Sequence, residues 1–207
     1  MLTKEQIKDY LEDGFVIPNF KMSESDLLEI EEKHNQLINK FPEYKNYCPA
    51  VLLKDESFLK YCLNDKILDF VEQLLGRKFA LWNSSFFAKP ANNGFETPWH
   101  QDGQYWPINP LATCTVWLAI DDATEENGCL RFIKGSHKDK KLKDHYRNNK
   151  ENLTLHQELN KNEYDISKSV NLLLKRGQIS LHDVYMIHGS KENLSLIHIS
   201  EPTRPMN

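Results

Sequence analysis

The feature that most constrains the fold is a change of sequence pattern near residue 79. Before this point, apolar residues recur at helical spacing; after it, short runs rich in β-branched and aromatic residues are separated by Gly and Asn turn signals. Because helices come first and many short strands follow, the pattern predicts an antiparallel barrel or jelly roll supported by helices. We predict one domain over residues 1–195, helical over 1–78 and built of strands over 79–195.

Three amphipathic helices are predicted in the first part. Their bounds are Thr3 to Gly14, Ser23 to Pro42, and about Asn64 to Gly76. Thr3 and Gln6 have the spacing of a capping box, and a glycine such as Gly14 favours the end of a helix. His34 lies on the apolar stripe of the second helix, and we predict a packing role for it rather than a ligand role.

The second part predicts short strands separated by turns. The predicted strands are Phe79–Ala88, Thr113–Ile120, Cys129–Ile133, Val170–Leu174 and Gln178–Ile187. The polar, charged stretch 138–162 predicts a loop with some helix. The triplet His137-Lys138-Asp139, which opens this stretch, is interpreted as part of a solvated loop.

Composition excludes several classes of protein. Charged residues make up 27% of the 207 residues and the net charge is −4, without a long block of one sign, which argues against a nucleic-acid binder. The longest uncharged apolar run, Leu111–Ile120, is about half the length that a membrane helix needs. The first ten residues carry several charges, which is not typical of a signal peptide. We predict a soluble, cytoplasmic protein with neither nucleic-acid nor membrane partners; the sequence leaves the oligomeric state open.

One His-x-Asp triplet has the context of a metal site. His100-Gln101-Asp102 is flanked by aromatic residues and a glycine, and in an extended backbone residues i and i+2 project from the same face. The third ligand would be His182 or His188, which we expect on one face of a single strand. Two imidazoles and one carboxylate form the facial triad of non-heme Fe(II) oxygenases and leave three open positions. The alternative is a pair of histidines with a purely structural role.

Longer stretches around these residues resemble a known family. The segments Pro98–Asp102, Thr115–His137 and Ile187–Ser190, with the N-terminal segments Leu2–Ile7 and Asp13–Ile17, closely resemble the phytanoyl-CoA dioxygenase family. The resemblance implies a mainly β protein with flanking helices (α+β) and a double-stranded β-helix, the cupin-like jelly roll. It also implies oxygenation of a small-molecule substrate with Fe(II), O₂ and 2-oxoglutarate as co-substrate, releasing succinate and CO₂.

The resemblance also implies roles for individual residues. These are His100, Asp102 and His188 as metal ligands, Trp117 and Ser190 at the 2-oxoglutarate site, and His182 as a neighbour of the site. Halogenating relatives lack the carboxylate that corresponds to Asp102, so its presence favours hydroxylation.

Four further residues are candidates for contact with the substrate. Gln104, Tyr105 and Trp106 follow the triplet directly and are predicted to face the substrate, or alternatively to form a packed aromatic rim. Arg131 is predicted to bind an anionic group, or alternatively to pair with a carboxylate on the strand surface.

The C-terminal stretch departs from the family pattern. Relatives carry an arginine eleven positions after the second ligand histidine, which clamps the distal carboxylate of 2-oxoglutarate; this chain has Ile199 there, and Arg204 does not match the spacing. Residues 196–207 match nothing expected and resemble a translated adapter sequence, so we predict a non-native tail. We also predict weak 2-oxoglutarate binding, unless Arg204 or another cation substitutes for the family arginine. Two other functions stay open: a catalytically weak metal- and ligand-binding jelly-roll protein, or a Zn or Mn cupin-type enzyme with the same His/Asp/His set.

Overall fold

The structure is a computed structural model that describes residues 1–195. Its α-helices are α1 (Lys4–Asp13), α2 (Glu24–Lys40), α3 (Leu59–Cys62) and α4 (Asp65–Leu75). Its strands are β1 (Phe15–Val16), β2 (Tyr47–Cys48), β3 (Phe86–Phe87), β4 (Thr97–His100), β5 (Cys114–Leu118), β6 (Leu130–Ile133), β7 (His145–Arg147), β8 (Gln157–Leu159), β9 (Ser169–Asn171), β10 (Ile179–Asp183) and β11 (His188–Ser190).

The three predicted helices are confirmed, together with the residues that start and stop them. The side chain of Thr3 accepts a hydrogen bond from the backbone N–H of Gln6, and the Gln6 side chain accepts one from the N–H of Thr3. The side chains of Ser23 and Asn64 also accept hydrogen bonds from backbone N–H groups at the starts of α2 and α4. Gly14 ends α1 with a φ of 90°, a conformation that glycine adopts without a steric penalty.

Two predicted strands differ from the structure. Of the predicted strand Phe79–Ala88, only the two residues of β3 are paired. The predicted strand Gln178–Ile187 is divided, because β10 ends at Asp183 and the chain turns there. The carboxylate of Asp183 accepts a hydrogen bond from the N–H of Tyr185 at 3.0 Å, and its carbonyl accepts one from the N–H of Met186 at 2.9 Å. The strand after this turn, β11, belongs to a different sheet.

The polar stretch after β6 also differs from its prediction. It contains an antiparallel pair, β7 and β8, where we expected a loop with some helix. His137 is not solvated, since it is only 3% exposed and its Nε2 lies 3.1 Å from the carbonyl oxygen of Leu11. Asp139 forms an ion pair with Lys143 on the surface.

Two antiparallel sheets form the centre of the domain. The first has the strand order β1-β10-β5 and the second the order β4-β11-β6-β9. Ile179 and Leu181 of β10 pack with the helices in the largest apolar core, whereas His182 projects from the opposite face of the strand. The ring of Phe132, from the second sheet, lies 5.1 Å from the ring of His182 and 5.8 Å from that of His188. The inner faces of the two sheets therefore meet, in the predicted jelly-roll arrangement.

Helix length and composition also bear on membrane insertion. Within residues 1–195, every helix is too short or too polar to span a bilayer.

Candidate metal centre

The structure brings together the three residues of the predicted triad. His100 ends β4, and His188, which begins β11, is its direct partner in the ladder of the second sheet. Asp102 follows β4 at the start of a short 3₁₀ turn. Its Oδ1 lies 3.5 Å from the Nε2 of each histidine, and the ligand atoms of the three residues are all within 4.8 Å of one another. Three potential ligands from two strands and a turn thus converge on one point.

Backbone carbonyls orient the two imidazoles. The Nδ1 of His100 lies 2.8 Å from the carbonyl oxygen of Pro98, and the Nδ1 of His188 lies 3.0 Å from that of Met186. A carbonyl only accepts, so each Nδ1 carries a proton, and Nε2 is the ring nitrogen placed to bind a metal. This arrangement of a ligand nitrogen backed by a carbonyl is common for metal-bound histidines.

The electrostatics favour the protonation states that a metal requires. Burial, with a further contribution from the neighbouring His100, lowers the pKa of His188 to about 3. Burial alone would raise the pKa of Asp102, but its contacts with His188, His100 and His182 outweigh this effect and hold that pKa well below its usual range. At neutral pH the centre therefore contains a neutral His188 imidazole and an ionised Asp102 carboxylate.

These residues fit a bound metal ion. The Nε2 atoms of His100 and His188 each lie 3.5 Å from Oδ1 of Asp102, so three donor atoms converge where one cation could bind all of them. Two histidines and one carboxylate suit Fe(II) and leave positions open for other ligands.

His182 lies beside this set but outside it. Its Nε2 is 3.4 Å from the second carboxylate oxygen of Asp102, and its ring centroid is 4.9 Å from that of His188. The expectation that His182 and His188 share one strand is wrong, because the turn at Asp183 places them in different sheets. The two imidazoles approach each other across the space between the sheets.

Sequence reasoning missed two residues that hold the centre in place. Thr115 donates a hydrogen bond of 2.7 Å to Oδ2 of Asp102. Gln101 is fully buried. Its side-chain amide donates to two backbone carbonyls, one of which is that of Tyr185 at 2.7 Å. Its side-chain oxygen accepts a hydrogen bond from the N–H of Lys143. The position of Gln101 within the triplet could have indicated its role in the sequence. Thr115 is 13 residues away from Asp102, and no sequence pattern links it to the centre.

Comparison with known proteins identifies the family. The sequence profile described as Phytanoyl-CoA dioxygenase (PhyH) matches residues 1–197. The chain belongs to the phytanoyl-CoA dioxygenase family. The peroxisomal phytanoyl-CoA dioxygenase of Homo sapiens is 27% identical over 222 residues, which cover 93% of this chain and 64% of the human protein. A phytanoyl-CoA dioxygenase domain-containing protein 1 homolog of Caenorhabditis briggsae is 33% identical over 149 residues, covering 69% and 51% of the two chains. This member of the family thus spans less than two thirds of the length of these relatives.

Solved structures share the fold of this chain. A non-heme monooxygenase, ThoJ in its apo form, has a TM-score of 0.77 and 25% identity, and the match covers 93% of this chain and 73% of that one. EvdO2 of Micromonospora carbonacea var. aurantiaca, complexed with 2-oxoglutarate, has a TM-score of 0.75 and 18% identity, with coverages of 96% and 87%. The likeness to EvdO2 establishes the jelly-roll fold of this family member.

The two residues that the family resemblance relates to 2-oxoglutarate lie on the inner faces of the sheets. Ser190 is buried on β11, two residues after His188. Trp117 lies on β5, two residues after Thr115, and its side chain packs in the same apolar cluster as Phe132. Ile199 and Arg204, like the whole predicted tail 196–207, lie outside the described residues.

The residues after the triplet lie close to the centre. The ring of Tyr105 is 5.8 Å from that of His100, and its hydroxyl donates to the carbonyl of Gln157 at 3.1 Å. The amide of Gln104 donates to the side-chain oxygen of Gln157 at 2.8 Å. Trp106 is half-buried at the end of the same turn. Tyr105 thus forms a wall of the centre, held by β8.

Arg131 does not reach the centre. Its neighbour Phe132 faces the centre, so Arg131 projects from the other side of β6. There its guanidinium lies 5.2 Å from the ring centroid of Trp99 and donates to the hydroxyl of Ser169 at 2.8 Å. These contacts give Arg131 a packing role on the outer face of β6, away from the triad.

Proposed function

We propose that this protein is an Fe(II)- and 2-oxoglutarate-dependent dioxygenase that hydroxylates a small molecule, with release of succinate and CO₂. The observation that carries the proposal is the convergence of His100, Asp102 and His188 between the sheets. Membership of the phytanoyl-CoA dioxygenase family supports it.

The three side chains would hold the iron and leave one side of it open. When bound, Fe(II) supplies the redox chemistry that activates O₂ for insertion into a C–H bond. The protein contributes orientation: the carbonyls behind His100 and His188 fix the rings, and the burial of both rings limits the access of water. The ionised Asp102 reduces the net charge of the bound cation.

The proposed co-substrate is 2-oxoglutarate, with Trp117 and Ser190 as residues that line its site. The fold that the chain shares with EvdO2, whose structure contains 2-oxoglutarate, supports this choice. Titration of 2-oxoglutarate into the anaerobic Fe(II) protein, followed by the metal-to-ligand charge-transfer band, tests it. Absence of the band at saturating 2-oxoglutarate would contradict the proposal.

The substrate is proposed as a small molecule only. Gln104, Tyr105 and Trp106, on the turn beside His100, are the proposed residues for substrate contact. A cytoplasmic location and the lack of nucleic-acid and membrane partners stay predictions.

Metal analysis and a turnover assay separate the proposed function from its two alternatives. Purified protein is loaded with Fe(II), Mn(II) or Zn(II), and succinate release is measured with 2-oxoglutarate and a panel of metabolites. Succinate formed only with Fe(II) is expected. Metal binding without succinate would indicate a binding protein, and activity with Zn(II) or Mn(II) would indicate a cupin-type enzyme.

Variants of the triad test the assignment of the site. His100→Ala and Asp102→Ala should each abolish turnover, because each removes one of three ligands. His156→Ala, which changes an exposed histidine, is the matched control and should keep it. If the His100→Ala and Asp102→Ala variants both retained turnover, the assignment of the site would be refuted.

A further inference from the structure

The two carboxylate oxygens of Asp102 have different surroundings. Oδ1 lies 3.5 Å from the Nε2 of both His100 and His188, on the side where the ligand atoms converge. Oδ2 accepts a 2.7 Å hydrogen bond from the hydroxyl of Thr115 and lies 3.4 Å from the Nε2 of His182. One oxygen thus faces the proposed metal and the other faces the protein.

The two residues at Oδ2 come from the opposite sheet. Thr115 on β5 and His182 on β10 are direct partners in the ladder of the first sheet, so their side chains emerge side by side. His100 and His188 are partners in the second sheet. The first sheet thus contacts the carboxylate at the oxygen that the two triad histidines leave free.

The surroundings of His182 argue for a role at this carboxylate. The residue is 1% exposed, and neither of its nitrogens makes a hydrogen bond of standard geometry with the described residues. The ring of Phe132 covers it at 5.1 Å. An apolar residue would fill such a position without leaving buried polar atoms unpaired. The polar contact of the His182 side chain is with Oδ2, and His182 lies outside the set of converging ligand atoms.

We infer that Thr115 and His182 are positioning residues that hold Oδ2 of Asp102, so that the carboxylate offers Oδ1 alone to the metal. This inference rests on the proposed metal site. A carboxylate that binds through one oxygen occupies one coordination position instead of two, which keeps a further position open for the exogenous ligands of a facial triad. Residues that orient ligands in this way affect metal affinity although they do not touch the metal.

Metal binding without turnover tests the inference. Metal-free protein is titrated with Mn(II), and free Mn(II) is measured by electron paramagnetic resonance. Thr115→Val removes the hydroxyl at nearly constant shape, and His182→Phe removes the imidazole; each should weaken Mn(II) binding by about ten-fold or more. Thr115→Ser restores the donor and should bind like the parent. The effects of the two changes should be non-additive in the double variant, because both act on one oxygen.

Matched controls separate this role from general effects on packing. Thr113→Val changes a nearby buried hydroxyl that has no hydrogen-bond partner among the described residues, and His34→Phe changes a buried imidazole on α2 that is outside the converging ligand set. Both should bind Mn(II) like the parent. Thermal melts identify any variant that fails to fold, in which case His182→Gln replaces His182→Phe.

The visible spectrum of the Co(II) protein reports coordination directly. Thr115→Val and His182→Phe should change the d–d bands in the same direction, as the second oxygen becomes free to coordinate, and Thr115→Ser should keep the parental bands. Parental Mn(II) affinity in both variants would overturn the inference. So would a spectrum altered by His182→Phe alone, which would make His182 a ligand. A parent protein that binds neither metal would overturn the metal site itself.

Discussion

We predict that His34 makes the stability of this protein fall as the pH is lowered. This histidine on α2 is 2% exposed, its ring lies 4.8 Å from that of Phe86, and neither nitrogen has a hydrogen-bond partner among the described residues. Glu31 and Asp121 line the same small cavity, but Glu31 is already paired with Arg176. Burial therefore favours the neutral imidazole and lowers the pKa of His34 to about 4.

The size of the effect follows from this pKa and that of an unfolded histidine, about 6.5. The folded state binds fewer protons than the unfolded state in this range. The contribution of His34 to stability is thus present above about pH 6.5 and is lost as the pH falls toward about pH 4. Between about pH 7 and pH 5 the free energy of unfolding should decrease by about 2 kcal/mol through His34 alone.

Urea unfolding of the metal-free protein at several pH values measures this effect. Metal is removed so that proton competition at the triad does not contribute. His34→Phe keeps an aromatic ring beside Phe86 and should flatten the pH dependence of stability by about 2 kcal/mol relative to the parent. His156→Gln, on the surface, should leave it unchanged. Parallel curves for the parent and His34→Phe would refute the reasoning.

Three further substitutions should lower stability by distinct mechanisms. Lys89→Met should lower the free energy of unfolding by about 2–3 kcal/mol, measured with urea, because the buried ammonium donates to two backbone carbonyls, one of which is that of Lys191 at 2.5 Å. An unchanged urea midpoint would contradict this. Gln101→Leu should lower the melting temperature, since it leaves the partners of its three side-chain hydrogen bonds unpaired; a melting temperature equal to the parent's would show that these bonds do not stabilise the fold. Gly128→Ala should destabilise more than Gly76→Ala. Both glycines have positive φ, but of the two only Gly128 is placed so that an added Cβ would collide with a backbone atom, the carbonyl oxygen of Lys191. Equal losses at the two glycines would refute the clash.

Local signals in the sequence predicted the helices and two of the three triad residues, His100 and Asp102. Thr3, Ser23 and Asn64 cap helices through contacts within three residues, so the prediction of these starts needs no tertiary information. His100 and Asp102 lie two residues apart, and an extended backbone brings such side chains to one side. These features depend on residues that are close to one another in the sequence.

The placement of His188 and His182 depends on contacts between segments that are far apart in the sequence. The pattern of residues 178–187 favours one continuous strand, but hydrogen bonds at Asp183 turn the chain and send His188 into the other sheet. The even spacing of His182 and His188 therefore could not reveal that they face each other from two sheets. Similarly, the orientation of Arg131 followed from which face of β6 packs inward.

The sequence by itself thus determined that helices precede strands, where the caps lie, and the triplet that begins the centre. Only the tertiary structure decided how His182 and His188 differ, and which oxygen of Asp102 faces the metal position. The physical reason is that strand pairing and the packing of the two sheets join residues far apart along the chain. Thr115 and Asp102 meet because β5 of the first sheet lies against the turn that follows β4 of the second sheet.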